Sequence, residues 1–379
     1  MKVQALVVGS GAGGATTALE LARAGVDVTV LEEGRRHDRA QTYGLGTTDG
    51  MRQLYRRRGM TPILGSVPIG YVEGSCLGGS TEINSGFWHR TPREVLARWQ
   101  AQFDLDGASV EELAPHFEWA EEATGVALSA KPYPKSTEVF ARGAAAMGWA
   151  AQEVPRAATA CQNTNACAVG CPTGAKQGMS VSVLPQAEAA GARVLTRTRV
   201  KLLLRQGSRI AGVLAEMELD DGSRKLVRID AEHVFVCAGP TETPALLRRT
   251  GIKFHVGDTL RIHPMLKVVA RFKERIAAYE SVLPLFQVKQ FAPDVSMGGA
   301  FFTPGHAALT MSDNWDPRRM QELGDMAGYY VAVRGRGKGQ VRSSALGDDG
   351  TVIRYELAEE DRVNLSNGLA HLATLLLAA

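Results

Sequence analysis

Across 379 residues no apolar run approaches the roughly 18–20 residues that a membrane-spanning helix needs. Nor is there a recognisable leader, since Met1-Lys2 passes directly into an apolar strand. A cytoplasmic location is therefore the expectation, with export beside a signal-bearing partner as the one alternative. Cysteine is scarce, and five in a chain of this length do not make a disulfide scaffold. Neither sign of charge dominates: 43 basic and 40 acidic residues give a net charge of +3, too little to argue for nucleic acid. The basic runs Arg56-Arg57-Arg58 and Arg334-Gly335-Arg336-Gly337-Lys338 read as solvated faces. Internal repeats and low-complexity tracts are missing too. What remains is ordinary globular composition, long enough for two or three domain-sized units or one two-lobed enzyme.

The most informative stretch is present at the start. Val7-Val8-Gly9-Ser10-Gly11-Ala12-Gly13-Gly14 is followed, eighteen positions beyond Gly14, by Glu32 in Leu31-Glu32-Glu33-Gly34. The order is strand, G-x-G-x-x-G, helix, strand, acid. Gly9 permits a tight strand-to-helix turn, Gly11 lets backbone approach a diphosphate, and Gly14 lets helix pack on strand. Gly11, Ala12 and Gly13 then bring the unsatisfied N–H groups and positive end of the helix to that diphosphate. Glu32 is placed to accept hydrogen bonds from ribose hydroxyls. The pattern predicts a dinucleotide site.

Coarse patterning predicts a strand over 3–8, a helix over 13–24 and a strand over 26–31. Residues 35–75 read as an irregular excursion, and Thr91 as the N-cap of a helix opening at Pro92. A helix over 109–123 is expected to break or restart at Pro115, and another covers 136–147. Residues 192–237 alternate like a β-meander, with strands over 192–200, 202–204, 210–219 and 225–229. The strand 233–237 then runs through Ala238-Gly239 into a helix. Segments between Met265 and about Arg342 are strand-like, and 359–379 reads as a closing helix.

Five landmarks together resemble the glucose–methanol–choline (GMC) family of FAD-dependent oxidoreductases. They are the G-x-G-x-x-G, Leu31-Glu32-Glu33-Gly34, the segment Leu77-Gly78-Gly79-Ser80-Thr81-Glu82-Ile83-Asn84 with Arg90-Thr91-Pro92, Val236 through Leu247, and His263-Pro264. The resemblance covers nearly the whole chain. It implies an α/β fold: a Rossmann-like FAD-binding lobe with a β-meander, and an α+β substrate lobe with a mixed or antiparallel sheet. The expected division is an FAD-binding domain over 1–100 and 160–264, a helical excursion over 101–159, a substrate domain over 265–345 and a return segment over 346–379. Carried over by position, the resemblance places Gly78, Gly79, Ser80 and Asn84 along the flavin or its phosphates. It places Val200 at the adenine through its main chain, and Ala238-Gly239 where backbone passes the cofactor. The chemistry implied is hydride transfer from an alcohol carbon to flavin N5, with a base taking the hydroxyl proton.

Cys161, Cys167 and Cys171 form a C-x5-C-x3-C-P segment. Thiolates clustered in a loop with a following proline are one way to hold an iron–sulfur cluster. Three ligands suit a three-iron cluster, [3Fe-4S]; a four-iron cluster needs a fourth, Cys76 or Cys237. Zinc is disfavoured by the lack of a suitably spaced His. Bacterial flavin dehydrogenases of the family use such a cluster to pass electrons to a cytochrome partner. Its long-chain alcohol and sterol oxidases carry cysteine-rich loops without one, and Gly174-Ala175-Lys176-Gln177 leans toward those. Cys76 and Cys237 otherwise read as small buried residues.

Family members also carry a catalytic His in a closing segment, and nothing after Asn367 corresponds to it. The expectation is an incomplete member (a truncated gene, a gene fragment, or half of a split enzyme completed by another chain), with its catalytic residues unassigned. His89, His263 and His306 are not promoted to base. Phe301-Phe302 and Leu283-Pro284-Leu285-Phe286 hint at a bulky apolar alcohol or sterol. Two rivals stand beside this reading: a cluster-containing sugar or polyol dehydrogenase, and a non-catalytic flavin-binding remnant.

Overall fold

The computed structural model describes residues 1–312, 316–344 and 350–379. Strand β1 (Lys2–Val8) buries its last four residues, as a parallel strand covered on both faces must. Helix α1 (Ala12–Arg23) lays Ala15, Ala18, Leu19 and Ala22 on the sheet, and β2 (Val28–Leu31) pairs parallel with β1 and is buried throughout. Next come β3 (Arg193–Leu195), β4 (Thr198–Gln206), β5 (Arg209–Glu218) and β6 (Arg224–Val236). The six strands form one sheet in the order β3-β2-β1-β6-β5-β4. Helix α2 (Gly239–Arg249) follows β6 through a two-residue turn.

The meander departs from expectation in two places. The expected strand 192–200 is split, because Arg197 takes a left-handed backbone (φ 53°) between β3 and β4, and β4 then runs on to absorb 202–204. The expected strands 225–229 and 233–237 are one. Asp230 faces Gly212 of β5 on one side and Lys2 of β1 on the other. The chain thus passes straight from an antiparallel partner to a parallel one. Pro115 also fails to break its helix, which runs Val110–Ala123 from a Ser109–Glu112 capping box. That helix has no buried residue, so the carbonyl left without a partner by the proline can turn to water. The next helix upstream is capped at Pro92 rather than Thr91.

A second, antiparallel sheet contains β7 (Met265–Arg271), β8 (Phe286–Val288), β9 (Val295–Gly299) and β10 (Met326–Val333). Its order is β7-β10-β9-β8, with the short strand Ala151–Glu153 at the far edge. The helix Lys135–Ala146 and α3 (Glu359–Leu377) pack on it through Phe140, Tyr329, Leu372 and Leu375. Phe140 stacks on Tyr329 with ring centroids 5.4 Å apart. Asp361 is fully buried, and its carboxylate accepts from the N–H groups of Arg336, Gly337 and Ala358 at 2.7, 2.9 and 3.0 Å. This one side chain pins α3 to the strand end beyond β10. The expected boundary between 345 and 346 lies outside the described residues. Among those described, no helix is long and apolar enough to cross a membrane.

His306 lies in this sheet's covering helix, stacked on Phe301 and hydrogen-bonded through Nδ1 to Thr303 Oγ1 at 2.8 Å. Burial, followed by the charge of Lys267, brings its pKa from 6.5 down to about 4. An unfolded chain therefore binds more protons than the folded one between those values, and stability is lost as pH falls through the window. Urea midpoints measured from pH 7 to pH 4 should show a loss approaching about 3 kcal/mol from this group. In His306→Asn that component should disappear. An unchanged slope would contradict the assignment.

Candidate dinucleotide site

The crossover glycines divide by what demands them. A Cβ on Gly9 (φ 101°) would stand 2.4 Å from the Cys237 carbonyl oxygen, and one on Gly14 would stand 1.9 Å from that of Gly9. The chain's own packing requires both. A Cβ on Gly11 or Gly13 would meet nothing within 4 Å, so no neighbouring protein atom requires a glycine there. Both face a cleft of about 280 Å³ at the N-terminus of α1. A backbone bared toward open space at a helix N-terminus is what a diphosphate needs.

The second Gly-rich segment is tied to the first by a buried carboxylate. Glu32 Oε2 accepts from Ser10 N at 3.0 Å and from Ser10 Oγ at 2.6 Å, while Oε1 accepts from Gly34 N at 2.8 Å. Ser10 Oγ in turn accepts from Gly78 N at 3.0 Å. Burial, with the charge of Glu33, raises the Glu32 pKa against the pull of these hydrogen bonds. Gly79 (φ 60°) lies directly over Gly11, where an added Cβ would approach the Gly11 Cα to 3.1 Å. Ser80 Oγ accepts from Gly74 N at 3.0 Å.

Gly9, Gly11, Ala12, Gly13, Glu32, Gly79, Ser80, Val200, Ala238 and Gly239 all line the cleft. Gly14 and Gly78 stand just behind it, as packing and hydrogen-bonding glycines. Asn84 does not reach it. Its Oδ1 accepts from Gly86 N at 3.0 Å, and the residue is exposed outside the lining of this cleft. Sequence reasoning missed a set of charged lining residues. Arg56 pairs with Glu33 at 2.8 Å, Glu73 at 3.0 Å and Glu242 at 3.7 Å, and Arg199 and Arg249 reach Glu242 at 3.5 and 3.8 Å. Burial would raise Glu33, but Arg56 and Arg199 outweigh it and hold the carboxyl low. Acids at 73 and 242 in otherwise apolar or Gly-rich segments were the available signal that cations must meet them.

A family profile described as GMC oxidoreductase matches residues 3–265, more than half of the chain. The chain belongs to the GMC oxidoreductase family. It is similar to an uncharacterized GMC-type oxidoreductase of Sinorhizobium fredii, 37% identical over all of this chain and 75% of that protein. It also resembles a long-chain-alcohol oxidase of Arabidopsis thaliana, 25% identical over all of this chain and 53% of that protein. The chain thus spans three quarters of the one and about half of the other. The fold matches that of Aspergillus oryzae formate oxidase, with a TM-score of 0.72 at 15% identity over 99% of this chain and 81% of that one.

Within this GMC fold the cysteine loop packs behind the Gly78–Asn84 segment. Lys176, buried, donates from Nζ to the carbonyls of Glu82, Asn84 and Cys167 at 2.7, 2.9 and 2.7 Å. Burial brings its pKa down to about 8 against the opposing charges of Cys167, Glu82 and Cys171. The three cysteines do not fit the expected [3Fe-4S] cluster. Cys161 is exposed, whereas Cys167 and Cys171 are buried. Arg156 stands against Cys161 and Cys167, and the space they share is about 10 Å³, room for one water. Cys171 Sγ faces Thr173 Oγ1 and the Lys176 N–H, at 3.4 and 3.5 Å. Among the described residues no group of three metal-binding side chains converges. Cys76 is buried as expected, while Cys237 is half-buried and lines the dinucleotide cleft.

Removing Arg56 would leave buried Glu73 without its cation, while Glu33 and Glu242 would keep only Arg199 and Arg249. Arg56→Ala should cost about 3 kcal/mol or more in urea denaturation, while Arg57→Ala, at an exposed neighbour, should cost almost nothing. Equal effects would show that the network contributes no more than surface charge.

Proposed function

We propose that this chain binds FAD in the cleft above α1 and serves a flavin-dependent oxidation of the CH–OH group of an apolar alcohol. The observation that carries the reading is the bared backbone at Gly11 and Gly13, with Gly79 packed on Gly11 and Ser80 lining the same cleft. Two Gly-rich segments suit a flat ring system joined to a diphosphate, and a nicotinamide site needs only the first. Bound there, FAD supplies an acceptor for a hydride removed from an alcohol carbon.

The chain's own residues bind and orient. Gly11 through Gly13 offer N–H groups and the positive helix end to the diphosphate. Glu32 keeps lone pairs for ribose hydroxyls while Ser10 and Gly34 hold its carboxylate still. Val200 presents backbone at the adenine side, and Ala238-Gly239 lets a second strand-to-helix turn pass close by. Lys176 fixes the carbonyls at Glu82 and Asn84, and so the wall that Gly79 and Ser80 belong to. No described residue is assigned as the base.

The substrate class rests on similarity to the long-chain-alcohol oxidase, which covers this whole chain. The apolar segments in the second sheet do not add to it, since Leu283, Leu285 and Phe302 are buried in the cores. Passage of electrons to a cytochrome through a cluster has no support in the geometry of the cysteine loop.

Gly11 has an extended backbone (φ −66°, ψ −170°) that alanine adopts readily. Gly11→Ala should therefore keep its urea midpoint within about 0.5 kcal/mol of the parent, yet lose at least about tenfold in FAD affinity. Gly14→Ala should fail on both counts. Protein saturated with FAD should leave gel filtration yellow, and anaerobic titration with long-chain alcohols should bleach it if the chain is catalytically sufficient. A colourless protein would overturn the proposal.

A further inference from the structure

Arg156 and Lys176 are two cations buried behind the cleft wall, 1% and 3% exposed. Among the described residues neither forms an ion pair with a carboxylate. Lys176 spends its ammonium on three carbonyl oxygens, and Arg156 Nε donates to the Ser85 carbonyl at 3.1 Å. The remaining arms of the guanidinium end on sulfur. Nη2 lies 3.3 Å from Cys167 Sγ and Nη1 lies 3.8 Å from Cys161 Sγ. A buried cation is stable only when its N–H groups find partners, and the two free arms of this one are turned to sulfur. The two sulfurs therefore share one guanidinium and one small cavity, and they differ in access: Cys161 is exposed and Cys167 is buried.

We propose that Cys161 and Cys167 are a reversible dithiol–disulfide pair, oxidised by a hydroperoxide that reaches Cys161 from solvent. In the first step Cys161 sulfur attacks the peroxide O–O bond. An S–O bond forms, the O–O bond breaks, and the departing oxygen leaves as water (or an alcohol) after taking up a proton. In the second step Cys167 sulfur attacks the resulting sulfenic acid. The S–S bond forms, the S–O bond breaks, and its oxygen leaves as water with the proton from Cys167. The pair loses two electrons and the peroxide gains them; a small dithiol reverses the reaction.

The pair is wired to the cleft. Joining the two sulfurs changes the groups that the Arg156 guanidinium contacts while it holds Ser85, and disturbs the loop that Lys176 ties to Glu82 and Asn84. On the FAD-binding reading above, the oxidised chain holds flavin more weakly than the reduced one.

The test treats the reduced full chain with hydrogen peroxide and blocks remaining thiols under denaturing conditions. Dithiothreitol and a second alkylating reagent then mark the thiols that had been oxidised. All three loop cysteines fall in the tryptic peptide 157–176, so fragmentation of that peptide locates each label. Two of the five thiols should be lost to the first reagent and recovered with the second, at Cys161 and Cys167. Cys161→Ser and Cys167→Ser should each abolish the pair, and Cys237→Ser should leave it intact. Over-oxidation of Cys161 with Cys167 still free overturns the proposal. So does iron with acid-labile sulfide in the purified chain and all three loop cysteines unreactive. Flavin retention measured before and after oxidation reads the coupling: equal retention with the disulfide formed overturns the link to the cleft. A failure to bind flavin before oxidation counts against the FAD reading, not against the pair.

Discussion

One buried carboxylate holds the site together. Glu32 sits at the end of β2 and takes hydrogen bonds from the phosphate loop through Ser10 and from the chain beyond β2 through Gly34. Ser10 then receives the N–H of Gly78, so three segments separated by up to 68 residues share one hydrogen-bonded knot. The acid is costly to bury, and its raised pKa records that cost. It is tolerated because every donor around it is fixed by backbone. With the knot, and with Leu77 N donating to the Arg35 carbonyl and Ser75 Oγ to Glu33, the two Gly-rich segments are held as one wall with Gly79 packed on Gly11.

Around this knot the cleft is bordered by opposite charges arranged in a chain. Arg56, Arg199 and Arg249 meet Glu33, Glu73 and Glu242, all drawn from different parts of the fold. Such a network is worth little for stability as a set of attractions, since each member gives up water to join it. Its contribution is positional: the excursion over residues 35–75, expected to be irregular, carries the helix Thr47–Leu54 and the ribbon Thr61–Ile63/Ile69–Tyr71, and charge pairing fastens it over the cleft. The buried cations on the far side, Arg156 and Lys176, perform a similar task with carbonyls and sulfur in place of carboxylates.

What the chain revealed before folding was considered follows the range of each interaction. The crossover was legible because Gly9, Gly11, Gly14 and Glu32 act within one strand–helix–strand unit, where spacing is geometry. The terminal helix and the helix ending near Met147 were legible from apolar periodicity. That Asn84 lies outside the cleft lining was not legible, because family position cannot show that its Oδ1 accepts from Gly86. Arg56 looked like its two solvated neighbours, and only the tertiary approach of Glu73 and Glu242 sets it apart. The cysteine spacing was visible while the two cations that fill the same space were not, since Arg156 and Lys176 reach it from either side of the loop. The single strand across Asp230 escaped notice because it needs two different partners to exist at all.

That strand has a mechanical consequence. Because β6 serves the meander with one half and β1 with the other, the two regions cannot shift independently. Slippage of the β5–β6 hairpin by one pleat repeat would drag Cys237 and Ala238 by about 7 Å along the cleft floor. The ribbon therefore works as a ruler that sets where the floor stops, and its turn is fastened beside Glu32, Glu218 N donating to the Arg197 carbonyl and Arg197 N to that of Gly34. A single added residue between Asp230 and Val236 would mis-set the floor while leaving every glycine in place.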